Sequence, residues 1–209
     1  MWQWILEWIR RWIRWLICAI RRIFLAPNER SIACSECIYG WTAAYRIVEE
    51  SCALRITVRI RLNPDADVTA DEITALQAVW EPGIEDRWSN RFTVSRLGGE
   101  CGCTSYPVTF GVQFVDSGEH HLVRVVRGPG RSNMRKWHTD DTAGVAAHEF
   151  GHMLTFPDEY ADEDCPDRFV ATDDSIMRTT SGDPMARHYQ PFATWVSNRT
   201  CCDYVVAVG

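Results

Sequence analysis

The chain has 209 residues, 46% of them hydrophobic and 24% charged. That suits one domain with an appendage, or two small domains, and excludes wholesale disorder. A formal net charge of −6 argues against a nucleic-acid partner, and the lack of an internal repeat excludes a solenoid or propeller.

Charge is unevenly spread. Residues 1–25 hold five arginines and one glutamate, net +4, so the remaining 184 residues sum to −10. Within residues 1–27, polar side chains recur at 3, 7, 10, 11, 14, 21 and 22. At 3.6 residues per turn these make one stripe. Trp2, Ile5, Leu6, Ile9, Trp12, Ile13, Leu16, Ile20 and Ile23 cover the opposite face, and Pro27 stops the helix. Trp4, Trp8 and Trp15 fall on the boundary, where an apolar ring with a polar N–H fits best. The arginines interrupt any run long enough for a membrane span or a signal peptide. The expectation is an amphipathic helix lying in an interface. Its surface of Trp4, Trp8, Arg10, Arg11, Arg14 and Trp15 meets a membrane, or the helix docks on a protein partner such as delivery machinery or on the rest of the chain; amphipathicity alone does not separate these.

Residues 28–53 read as a linker or an irregular cysteine-containing lead-in to a body at 54–209. Leu54, Ile56, Val58, Ile60 and Leu62 alternate with Arg55, Thr57, Arg59 and Arg61, the period of a half-buried strand. Thr69 with Glu72 forms a capping box, so a helix starts there, carrying Ile73, Leu76, Val79 and Trp80 on one face. Pro82-Gly83 is expected to kink or end it, with Ile84 and Trp88 continuing the face. Segments 108–115 and 122–126 read as strands, joined by a hairpin at Asp116-Ser117-Gly118-Glu119. A further helix is capped at Asp140-Asp141-Thr142. The order implies an α/β (α+β) body with one mixed, twisted sheet.

That last helix contains His148-Glu149-Phe150-Gly151-His152. Histidines at i and i+4 share a helical face, so both imidazoles reach one ion. Zinc suits two neutral imidazoles plus an oxygen ligand, with a position left for water. Glu149 is placed to take that water's proton. Val145, Ala146, Phe150 and Met153 would bury the helix behind the site. His120 and His121 read as a solvated hairpin pair, not as ligands.

The run continues through Thr155 to Asp158, and Asp174-Ser175-Ile176-Met177 follows. These residues resemble the metzincin zinc endopeptidases, whose extended motif is H-E-x-x-H-x-x-G-x-x-H/D. The likeness spans about residues 140–180. It implies a zincin-like fold, zinc as cofactor, a protein or peptide substrate, Asp158 as third ligand with Glu159 as runner-up, and Met177 as an apolar floor beneath the metal. It also implies substrate pairing on the edge of the strand at 122–126. Thr155 departs from the motif's glycine, so the turn is either strained or differently shaped. A donor for the developing oxyanion is also needed; the candidates near the Met-turn are His188 and Tyr189, though each reads more readily as a packing residue, Tyr189 with Phe192 and Trp195.

Nine cysteines leave one unpaired. Cys34-x-x-Cys37 has metal or redox spacing, whereas the pairs 101/103 and 201/202 suit a disulfide framework in an exported protein, with Cys18 as the odd residue. The sequence therefore reads as a zinc-dependent endopeptidase with Glu149 as general base, an effector or toxin exported without a recognisable signal peptide and associated with membranes. The alternatives are a membrane-active protein working through residues 1–25, and a non-catalytic zinc-binding module.

Overall fold

The computed structural model describes residues 2–98 and 101–208, without the side chains of Trp2, Gln3, Trp4, Leu6, Arg10, Arg11 and Arg14. The surface expected of Trp4, Arg10, Arg11 and Arg14 thus lies outside the described residues. In chain order the elements are α1 (Trp2–Phe24), β1 (Glu29–Glu36), β2 (Tyr39–Glu50), β3 (Ala53–Pro64), α2 (Ala70–Trp88) and β4 (Phe92–Arg96). There follow β5 (Ser105–Phe114), β6 (His121–Val126), β7 (Lys136–His138), α3 (Ala143–Met153), α4 (Ala186–Thr200) and β8 (Tyr204–Val208).

β3 is the axis. Its alternating Leu54, Ile56, Val58 and Ile60 are fully buried, each contributing about 1.5–3 kcal/mol of hydrophobic stabilisation. Its neighbours make one curled, mixed eight-stranded sheet, β1-β2-β3-β5-β4-β8, with β6 on β3 and β7 on β6. α2, α3 and α4 pack around a core that includes Trp80, Trp88, Phe110, Phe150 and Phe192.

Three local expectations are corrected. Residues 29–50 are not an irregular lead-in: β1 and β2 pair antiparallel from Glu29↔Arg46 to Glu36↔Tyr39, and β2 continues onto β3. The loop at Asp116–Glu119 does not turn a hairpin. β5 and β6 both run parallel to β3, at Leu54–Ile60 and then Ile60–Pro64, but Val115 N–H bonds to Ile60 C=O and His120 N–H to the oppositely directed Arg59 C=O, so the loop carries the chain from one edge of β3 to the other. His120 and His121 close the gap that results. His120 Nδ1 accepts from Arg59 N–H at 3.0 Å, and His121 Nε2 meets Ala44 at 2.9 Å from its carbonyl oxygen. Third, α2 runs through Pro82 to Trp88, burying Trp80, Ile84 and Trp88 while Val79 faces outward. Its capping box forms as the spacing requires: Thr69 Oγ1 accepts from Glu72 N–H, and the Glu72 carboxylate accepts from Thr69 N–H. Gly83 leaves the space for α3, since a side chain there would overlap Ala143.

The disulfides are Cys18–Cys201, Cys37–Cys165, Cys52–Cys103 and Cys101–Cys202, with Cα separations between 5.5 and 6.4 Å. Cys34, not Cys18, is the free thiol, and it does not share a site with Cys37.

Candidate metal centre

α3 begins at Thr142, whose Oγ1 accepts from Val145 N–H at 3.4 Å. It buries Ala146, Ala147, Phe150 and Met153. Phe150 packs on Trp88 and Phe110, and Trp88 Nε1 donates to the Ala147 carbonyl at 2.8 Å. The opposite face then carries His148 and His152, ring centroids 5.0 Å apart.

The helix ends in a sharp turn. Thr155 has φ +106°, so the position where the motif has glycine keeps the left-handed backbone despite its β-branch. Phe156 N–H bonds back to Gly151 C=O at 3.1 Å, and the Phe156 carbonyl accepts from His152 Nδ1 at 2.7 Å. The reversal brings Asp158 over the two rings. Asp158 Oδ1 lies 3.1 Å from His148 Nε2 and 3.3 Å from His152 Nε2. The three ligand atoms all lie within 4.8 Å of one another.

The chemistry of this donor set asks for a cation. A carbonyl oxygen only accepts, so each Nδ1 carries its proton: His148 Nδ1 to Ile176 C=O at 2.6 Å, His152 Nδ1 to Phe156 C=O. In the neutral ring Nε2 is then a lone pair. Two such lone pairs face one carboxylate oxygen. Three acceptors converge, and only protons or a metal ion make that favourable. With protons in place of a metal, the Nε2–H groups of His148 and His152 would donate to Asp158, outweigh the upward push of burial and hold its carboxyl far below the usual carboxylate range.

Glu149 is 5% exposed and its Oε2 has no hydrogen-bond partner. Burial pushes its pKa up. It lines a cleft of about 380 Å³ with His148, His152, Asp158, Tyr39, Tyr160, Arg131, Asn133 and Lys136. Met177 is fully buried, its sulfur packed where a side chain on Gly151 would stand. The Met177 carbonyl accepts from Glu159 N–H at 2.8 Å, tying the 174–177 segment to the ligand loop.

Other candidates lie elsewhere. Asp158 and Glu159 point to opposite sides of an extended chain, so Glu159 turns inward. There it accepts from Arg187 at 2.6 and 2.5 Å and from His188 Nε2 at 3.2 Å. Burial would raise its pKa, yet Arg187 and His188 hold it at about 2. It is a structural ion-pair residue, not the runner-up ligand. His188 is 2% exposed and packs against Phe156, and Tyr189 is fully buried with its hydroxyl donating to the Trp88 carbonyl. Neither lines the cleft. β6 is not an edge either, since β3 and β7 pair with it.

Two tyrosines stand at the cleft in their place. Tyr160 donates to Asp158 Oδ2 at 2.8 Å, and Tyr39 donates to Asp162 at 3.0 Å. Tyr160 was within reach of sequence reasoning, because residues i and i+2 of an extended segment share a side. Tyr39 was not: it arrives on the β1–β2 hairpin. The same hairpin brings Trp41, whose Nε1 donates to the His152 carbonyl at 3.0 Å. Arg168, its side chain 2% exposed, sits between Glu36 and Asp162 at 2.8 and 3.2 Å and completes that wall. No protein family, curated protein or solved structure matches this chain.

Proposed function

We propose that the chain is a zinc-dependent endopeptidase of metzincin type, acting on protein or peptide substrates outside the cell. One observation carries this: two imidazoles with their Nδ1 protons committed to carbonyls present bare Nε2 atoms to one carboxylate, beside a buried glutamate with an unpartnered oxygen. His148, His152 and Asp158 would hold the ion. Bound zinc supplies Lewis acidity, lowering the pKa of water and drawing charge from a carbonyl.

The chain's own groups do the rest. Glu149 Oε2 takes the proton from water and later returns it to the leaving amine. Burial suits it to the first step, because a raised carboxyl pKa makes the carboxylate a stronger base. Tyr160 orients Asp158. β6 is paired on both sides and the outer backbone groups of β7, at Lys136 and His138, are taken by Asn133 and Asp141, so the cleft's side chains rather than a strand edge would hold a peptide. The four disulfides support an oxidising compartment. A closed structural zinc site would need a fourth protein ligand, and among the described residues three donors converge. The amphipathic character of α1 belongs to this reading as the part that places the enzyme.

The test is casein cleavage by the oxidised full chain supplied with zinc, wild type beside Glu149→Gln. The expected loss in Glu149→Gln is on the order of a hundredfold to ten-thousandfold. Equal cleavage by both, or none by wild type on several unstructured substrates, would overturn the reading.

A further inference from the structure

α1 is tied to the body at one end. Cys18 is bonded to Cys201 at the end of α4, Trp195 Nε1 donates to the Pro27 carbonyl at 2.9 Å, and Ala26 is fully buried. Among its described side chains only Cys18 and Ala19 are half-buried. Cys18 falls within the polar stripe, so the helix meets the body on that side. The apolar face is left in solvent: Ile9 is 40% exposed, Ile13 45%, Ile20 49% and Ile23 66%. Trp8 and Trp15, on the boundary, are 60% and 66% exposed. The described apolar side chains of the helix are therefore not covered by its own domain. A contiguous exposed stripe of this kind marks an interaction site.

Charge selects the occupant. Residues 1–25 carry net +4. A second copy would bring an equal positive charge alongside, which opposes pairing of two α1 helices. An anionic lipid surface reverses that sign and accepts both faces at once: arginines at the headgroups, isoleucines at the acyl boundary, tryptophans between. No described helix is long and apolar enough to cross a membrane, so the geometry is in-plane.

We infer that α1 docks lengthwise on an anionic bilayer, with Ile9, Ile13, Ile20 and Ile23 toward the acyl chains. The Cys18–Cys201 bond then fixes where the body stands relative to that surface.

The test is co-sedimentation of the oxidised full chain with vesicles of phosphatidylcholine containing about 30% phosphatidylglycerol, against phosphatidylcholine alone. Binding is expected to the anionic vesicles and to be at least tenfold weaker to the neutral ones. Ile9→Glu with Ile13→Glu, both exposed and so without consequence for folding, is expected to lower binding at least tenfold. Arg10→Gln, Arg11→Gln and Arg14→Gln together are expected to lower it on the order of a hundredfold and to flatten its salt dependence. Far-UV circular dichroism and melting of each variant serve as the folding control. Failure to bind either vesicle, or equal binding by the isoleucine variant, would overturn the inference. So would light scattering that shows a dimer dispersed by Ile9→Glu with Ile13→Glu, since a second copy would then own this face. The readout is lipid binding, so its outcome is independent of peptidase activity.

Discussion

Thr155→Gly should stabilise the protein without changing its metal affinity. Thr155 sits at φ +106°, a region that costs a β-branched residue about 1–3 kcal/mol. Among the described residues its hydroxyl makes no hydrogen bond, so nothing on the side chain offsets that strain. Glycine relieves it but loses about 0.5–1 kcal/mol through the freedom it adds to the unfolded chain. The net is about 1 kcal/mol of stabilisation, or roughly 2–4 °C in melting temperature for a chain of this size. Thr155→Ala should fall between, because it removes the branch and keeps the Cβ. The assay is urea or thermal unfolding of the oxidised, metal-free chain, followed by zinc competition with a chelator. The hydrogen bonds that hold the turn, Phe156 N–H to Gly151 C=O and His152 Nδ1–H to Phe156 C=O, do not involve the Thr155 side chain. Zinc affinity should therefore be unchanged. A loss of about 1 kcal/mol in Thr155→Gly would refute the strain argument.

Three further outcomes follow from the same geometry. Tyr160→Phe removes the donor to Asp158 Oδ2 and should weaken zinc binding about 10–100-fold, read by chelator competition; unchanged affinity would show that Asp158 is held by other contacts. His121 is buried against Ala44, and burial pushes its pKa down from 6.5 to about 4. The unfolded chain binds this proton first as pH falls, so stability present above about pH 6.5 is lost progressively towards pH 4, by up to about 3 kcal/mol. The difference in urea stability between wild type and His121→Gln should shrink over that window, and a constant difference would contradict it. In denaturant without reductant, thiol titration should count one group per chain, Cys34; three would mean that a pairing does not form.

Local chemistry made much of this fold legible. The alternation at 54–62, the Thr69–Glu72 box and the histidines four apart each encode their structure within a few residues. What escaped depends on distant partners. β1 and β2 carry small and polar residues such as Ser31, Ala33, Thr42 and Ala44, with little hydrophobic contrast, and become strands by pairing with each other and with β3. The loop at Asp116–Glu119 has hairpin chemistry, but both flanking segments pair parallel with β3, on its opposite edges, and that pairing decides their direction. In the candidate site, spacing placed His148 and His152 on one helical face, and the resemblance pointed to Asp158, which the fold brings within reach of both. His188 and Tyr189 were misplaced because the apolar surroundings that bury them come from Trp88, Phe110 and Phe156. Cys18 was misjudged because its partner lies 183 residues away.

The central claim is that His148, His152 and Asp158 hold a zinc ion that Glu149 puts to use. The most direct measurement is the zinc content of the oxidised full chain after dialysis, paired with casein cleavage by the same samples. About one zinc per chain is expected in wild type and in Glu149→Gln, with cleavage only in wild type, and both zinc and cleavage should be lost in His148→Ala with His152→Ala. A wild-type chain that binds no zinc, or a double variant that keeps it, would contradict the account.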